Sequence, residues 1–254
     1  MLCVNLVDRT DAARVVDKAR EADVPLVFFN REPVQEDIDA WVKVYYVGSD
    51  ARQSAQLQAQ IVLDLWESDP AALDRNGDGI LQYMMLEGES RHQDAVIRTE
   101  VSVQTLREAG VPLERVESGI ANWDRNQAAA LTESALLEYP EIELILCNND
   151  DMALGAIEAL KAEGYNSGDE SKYIPVVGVD ATAPALEAMK DGSLLGTVLN
   201  DSTSQGNASV NIAVAAAQGK EITEENIGYP VTDDKYVWVD YVKVTQDNYQ
   251  DYMS

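Results

Sequence analysis

The sequence predicts an α/β fold in which parallel sheets are covered by helices on both faces. Two observations carry this. Short, nearly continuous apolar runs alternate with longer amphipathic ones along the whole chain, as expected of strands buried on both faces and joined by helical crossovers. With 254 residues, 46% of them hydrophobic, the chain can fill a substantial core, and two lobes are expected rather than one.

In chain order, the apolar run LCVNLV (2–7) is followed by a helical pattern over 11–21 and a second strand, PLVFFN (25–30). VYYVGS (44–49) is a third strand, and the helix after it spans about 50–66. Beyond an acidic loop come the strand ILQYMMLEG (80–88), a helix over about 92–109 and a strand near 113–119. A helix over 123–138 leads into ELILCNN (143–149) and a helix that ends near 162. IPVVGVD (174–180), LLGTVLN (194–200) and YVWVDYV (236–242) complete the strands, with helices at 182–191 and 204–218.

Charge narrows the function classes. Forty-five acidic residues against nineteen basic ones give a formal net charge of −26, with a single histidine. Such a surface repels phosphates, which argues against nucleic acid and anionic membrane surfaces. No stretch approaches the ~20 apolar residues of a membrane span. Met1 leads directly into the first strand without a basic region or cleavage site, so no signal peptide is expected within the chain. Cys3 and Cys147 both sit in strand-like apolar runs, and both are expected to be buried free thiols.

The acidic loop has the spacing of a calcium loop. Asp74, Asn76 and Asp78 supply oxygens at loop positions one, three and five; Gly79 permits the turn at six; Ile80 offers its carbonyl at seven and Gln82 stands at nine. Position twelve, where a bidentate Glu belongs, is Met85. The alternative is a plain acidic surface loop.

In sheets of this kind ligands bind beyond the carboxyl ends of the strands. The residues there are polar: Asn30, the run 148–151, Asp180, and Asn200 with Asp201; His92, Asp94 and Arg98 follow the strand at 80–88. Each Asn or Asp is equally an N-cap for the next helix, and Asp150 or Asp151 is expected to cap the helix that starts at Met152. Together they suit a hydroxyl-rich ligand, because carboxylates accept, Arg donates and Asn does both. Trp123 offers a flat face for a sugar ring or, alternatively, a core anchor.

The segments LVFFNREP (26–33), the acidic loop, GESRHQDAVIRT (88–99), CNNDDMALGAIEALKA (147–162), PVVGVDATAPALEAM (175–189) and GTVLND (196–201) stand in the order found in galactose/glucose-binding proteins. The chain resembles this family over nearly its whole length. These are type I periplasmic binding proteins, receptors that deliver sugar to the membrane subunits of ABC importers and, in some bacteria, to a chemoreceptor. The resemblance implies an extracytoplasmic location and sugar contacts from Asn30, His92, Asp94, Arg98, Asn149, Asp180 and Asn200, with Trp123 stacking on the ring. It also implies a structural calcium ion (Ca2+) held by Asp74, Asn76, Asp78, Ile80 and Gln82, the missing ligand being Glu143 from the later strand. Two α/β lobes joined by three crossings follow, with the lobes at 1–48 plus 201–234 and at 49–200 plus 235–254.

Compared with that family, the strand-helix-strand-helix unit that precedes the equivalent of Cys3 is not found in this sequence. That unit carries a sugar-binding Asp and a second stacking aromatic, so impaired sugar binding and an incomplete N-lobe with 2–7 at an open sheet edge are the expectations. The ligand-binding core of a sugar-responsive transcriptional regulator shares the fold, but it would need a DNA-binding headpiece. A sugar-processing enzyme is disfavoured, since no second catalytic carboxylate and no G-x-S-x-G nucleophile is assignable.

Overall fold

The computed structural model describes residues 1–253. The chain divides into two compact units, unit 1 from Met1–Asp50 with Asp201–Asp240, and unit 2 from Ala51–Asn200 with Tyr241–Ser254.

Unit 1 holds β1 (Leu2–Val4), α1 (Ala12–Glu21), β2 (Leu26–Phe29), α2 (Gln35–Asp39) and β3 (Val44–Gly48). Its second segment adds α8 (Ser202–Ala217), α9 (Glu224–Ile227) and β9 (Tyr236–Trp238). The sheet has the order β1-β2-β3-β9 and is parallel throughout. Alternation along its strands fills both faces. Leu26, Phe28, Val44, Tyr46 and Tyr236 pack with Val16 and Ala19 of α1 on one side. Val27, Val47 and Val237 pack with Ala208 and Ile212 of α8 on the other.

β1 forms one edge of this sheet, as expected, and that position overturns the expectation for Cys3. Its thiol is exposed, because an edge strand has a neighbour on one side only. Cys147 is buried as expected.

Unit 2 holds α3 (Ala51–Ser68), β4 (Leu81–Glu87), α4 (Gln93–Glu108), β5 (Leu113–Ile120), α5 (Arg125–Glu138) and β6 (Leu144–Cys147). It continues with α6 (Asp150–Ala162), β7 (Val176–Val177), α7 (Ala183–Lys190), β8 (Thr197–Leu199) and β10 (Val242–Val244). Its main sheet has the parallel order β5-β4-β6-β7. Met84 and Leu86 face α5 and α6, whereas Leu81, Tyr83 and Met85 face α3 and α4. Met85 is fully buried in that second core, packed among apolar side chains and not in the acidic loop.

Two sequence expectations change here. The run 236–242 is two strands in different units: β9 pairs with β3, while β10 runs antiparallel to β8, so the sheets are not all parallel. The third crossing consequently falls at 240–241 and not at 234–235, since the pairing of β9 with β3 draws residues 236–238 into unit 1.

Candidate functional site

The carboxyl ends of β4, β6 and β7 in unit 2 bring most of the predicted site residues together. His92 caps α4, its Nδ1 accepting the Asp94 N–H at 3.1 Å. A ring nitrogen that accepts carries no proton, so in this arrangement the His92 proton sits on Nε2. Trp123 lies edge-on to His92 with ring centroids 5.0 Å apart, and the Arg98 guanidinium carbon is 6.0 Å from the indole centroid. Arg98 and Asp94, one helical turn apart on α4, form an ion pair at 3.7 Å.

Arg98 is a buried hub. Its Nη1 donates to the Asn148 carbonyl at 2.8 Å, its Nη2 to the Tyr241 hydroxyl at 2.8 Å, and its Nε to the Ser54 hydroxyl at 3.2 Å. Burial works against its charge, but Tyr241, Asp94 and Asp180 outweigh it and hold the pKa above the ordinary arginine value. Three of its five N–H donors thus serve the fold, and Nη2 also faces the Asp94 carboxylate.

Trp123 stands where backbone strain is unusual. Asn122 and Trp123 adopt φ of 51° and 64°, a region that bulky residues avoid. The indole packs so closely over Gly88 that a Cβ there would lie 2.2 Å from Cζ2 of the ring. The glycine after β4 thus makes room for the aromatic.

Asp180 and Ala181 carry the same signature, with φ of 127° and 54°. Asp180 Oδ1 accepts from the Asn200 amide at 3.4 Å, and burial raises its pKa against the lowering pull of Arg98. Asn149 uses its side-chain oxygen to cap α6, accepting from Met152 N–H at 3.0 Å. The expectation that Asp150 or Asp151 is the cap is therefore corrected: α6 starts at Asp150, and the residue before it has the extended backbone and free oxygen that a cap needs.

Asp150, which the sequence offers only as part of the polar run 148–151 and as a cap, is fully buried. Its Oδ2 accepts from Thr182 N–H at 2.7 Å and its Oδ1 from the Thr197 hydroxyl at 2.6 Å. Burial, then the nearby Asp180 charge, pushes its pKa up to about 7. Because folding raises this pKa, the group stabilises the fold at pH below the ordinary carboxylate range. That contribution fades as pH rises toward about 7. Asn30, in unit 1, is exposed at the end of β2 with φ of 63°, and its carbonyl accepts from the Tyr46 hydroxyl at 2.8 Å.

The acidic loop lies at the opposite, amino end of β4. Glu143 reaches it from the start of β6 and is 1% exposed. Its Oε1 accepts from the N–H groups of Arg75 at 2.7 Å and Asn76 at 3.0 Å, and its Oε2 from Gln82 N–H at 3.4 Å. Asp74 accepts from Gly77, Asp78 and Gly79 N–H, while the Gln82 amide donates to Asp78. The Ile80 N–H holds the Asp78 carboxyl below its ordinary pKa. With the oxygens engaged in this way, no three acidic, His or Cys side chains converge on one point among the described residues. The donor set still fits a hard cation. Three carboxylates, two amides and the Ile80 carbonyl surround one turn, and no ion pair to the buried Glu143 forms among the described residues.

Comparison with known proteins follows the same lines. Residues 1–221 match the model of the periplasmic binding protein domain. The D-galactose/methyl-galactoside binding periplasmic protein MglB of Haemophilus influenzae is 38% identical over 254 residues, covering 99% of this chain and 74% of that protein. An ABC transporter solute-binding protein from Bacillus halodurans, solved with myo-inositol, superposes with a TM-score of 0.79 at 34% identity, covering 99% of this chain and 76% of that one. A solute-binding protein from Actinobacillus succinogenes, solved with D-allose, shares the fold at a TM-score of 0.79 and 24% identity, covering 98% and 79%. These relatives are solute-binding proteins, not enzymes. The chain belongs to the type I periplasmic binding protein family.

Proposed function

We infer that this protein is the receptor of an ABC sugar importer, that it binds D-galactose or D-glucose, and that it works outside the cytoplasmic membrane. The observation that carries the reading is the cluster in unit 2. A strained Trp123 stands beside His92 and the Asp94–Arg98 pair, with the Asp180–Asn200 pair within the field of Arg98. An indole face takes the apolar C–H side of a pyranose, and the charged groups bond its hydroxyls from the rim. The hexose assignment draws on the 38% identity to a galactose-binding protein. Its importer's membrane subunits are the expected partners, and a chemoreceptor is a further one. Calcium at Asp74, Asn76, Asp78, Ile80, Gln82 and Glu143 ties the loop to β6 and takes no part in sugar contact.

A panel of thermal melts tests the sugar assignment. At 100 times its Kd a ligand stabilises by about 2.7 kcal/mol. For a chain of this size, that is a midpoint shift of roughly 5–10 °C. Galactose or glucose is expected to give the largest shift. A shift with ribose or myo-inositol and none with either hexose would reassign the ligand.

A further inference from the structure

Asp150 crosslinks three elements behind the candidate ligand contacts. Its own N–H donates to the Val179 carbonyl at 2.8 Å, which ties the start of α6 to the chain leaving β7. One carboxylate oxygen takes the Thr182 N–H and the other the Thr197 hydroxyl of β8. The Thr197 oxygen in turn accepts from Ala181 N–H at 3.3 Å. Between these anchors lie Asp180 and Ala181, both at positive φ, a conformation that persists only where the surroundings impose it. The chain leaves space for the carboxylate at Gly178, where a Cβ would stand 2.3 Å from Asp150 Oδ1.

We propose that Asp150 is a positioning residue: it clamps the 180–182 turn from within and thereby holds Asp180 in its ligand-binding orientation. The clamp explains why a carboxylate is buried with no ligand role of its own. The link to sugar rests on the function inferred above, whereas the clamp itself does not.

Hydrogen exchange on the ligand-free protein, paired with sugar titration, tests this. Asp150→Ala is expected to raise exchange at the Ala181 and Thr182 amides at least tenfold while exchange in the β4 core stays unchanged. Sugar affinity is expected to fall about tenfold or more. Asp150→Asn, which keeps an acceptor for Thr182 and a partner for Thr197, is expected to restore both to within about threefold. Should Asp150→Ala fail to fold, Thr197→Val removes one arm alone and is expected to loosen the same two amides to a smaller extent. Unchanged exchange at 181–182 in Asp150→Ala or Thr197→Val, or an equal loss in Asp150→Asn, overturns the clamp. If exchange responds as expected but the unmodified protein binds no sugar, the clamp stands and the receptor reading fails.

Discussion

Removing calcium is expected to lower the midpoint of thermal unfolding by on the order of 10 °C. The estimate follows from linkage: an ion present at 1,000 times its Kd stabilises the folded state by about 4.1 kcal/mol. In a chain of this length each kcal/mol moves the midpoint by roughly 2–4 °C. The loop supports the sign. Glu143 is a buried carboxylate satisfied by three backbone N–H groups and by no cationic side chain among the described residues. The proposed cation would add a positive partner to that carboxylate. Glu143→Gln keeps the shape and removes the charge, so it is expected to abolish most of the calcium-dependent shift. Magnesium is expected to substitute poorly, because it demands a smaller octahedral shell than a mixed loop provides. A melt indifferent to chelator would remove calcium from the account.

Arg98→Met is expected to cost about 3–5 kcal/mol of stability, again on the order of 10 °C, together with any sugar affinity. The size comes from what the guanidinium satisfies: the Asn148 carbonyl, the Tyr241 hydroxyl and the Ser54 hydroxyl each lose a donor inside the protein. Arg98→Lys is expected to rescue little, since a single ammonium cannot reach three acceptors fixed in a planar fork. Circular dichroism melts of the two variants decide the matter. A drop of less than about 1 kcal/mol in Arg98→Met would show that the hub is not structural.

The fold was legible where it depends on local pattern. Strands such as 81–87 and 144–147 are nearly continuous apolar runs, as strands buried on both faces require. What the pattern hid was tertiary. In YVWVDYV a single charged residue, Asp240, stands where unit 1 ends and unit 2 resumes, and within an otherwise apolar run it does not show that the two halves pair with strands of different units. Cys3 differs from expectation although the edge position of its strand was anticipated: an apolar run at a sheet edge does not reveal which of its side chains stay in solvent.

At the site, residue chemistry located the strand ends but not the division of labour. His92 and Asn149, expected to contact ligand, also cap helices, so each offers only part of its side chain. Asp150 sits one residue from Asn149 in an acidic run and looks like a cap. Its burial and its bonds to Thr182 and Thr197 depend on contacts 32 and 47 residues away. Gly88 and Tyr241 left no trace either, one being a space for Trp123 and the other a hydroxyl 143 residues from Arg98.

The Trp123–Arg98–Asp180 cluster is the proposed hexose site. Calorimetric titration of D-galactose and D-glucose into the calcium-loaded protein, with Asp180→Ala beside it, tests this most directly. Saturable one-to-one binding of at least one of the two sugars is expected. Asp180→Ala should weaken it about tenfold or more, since a hydrogen bond to a charged group contributes roughly 1.5–3 kcal/mol and each 1.4 kcal/mol is a factor of ten. No saturable heat from either hexose up to millimolar sugar, or equal affinity in the variant, would contradict it.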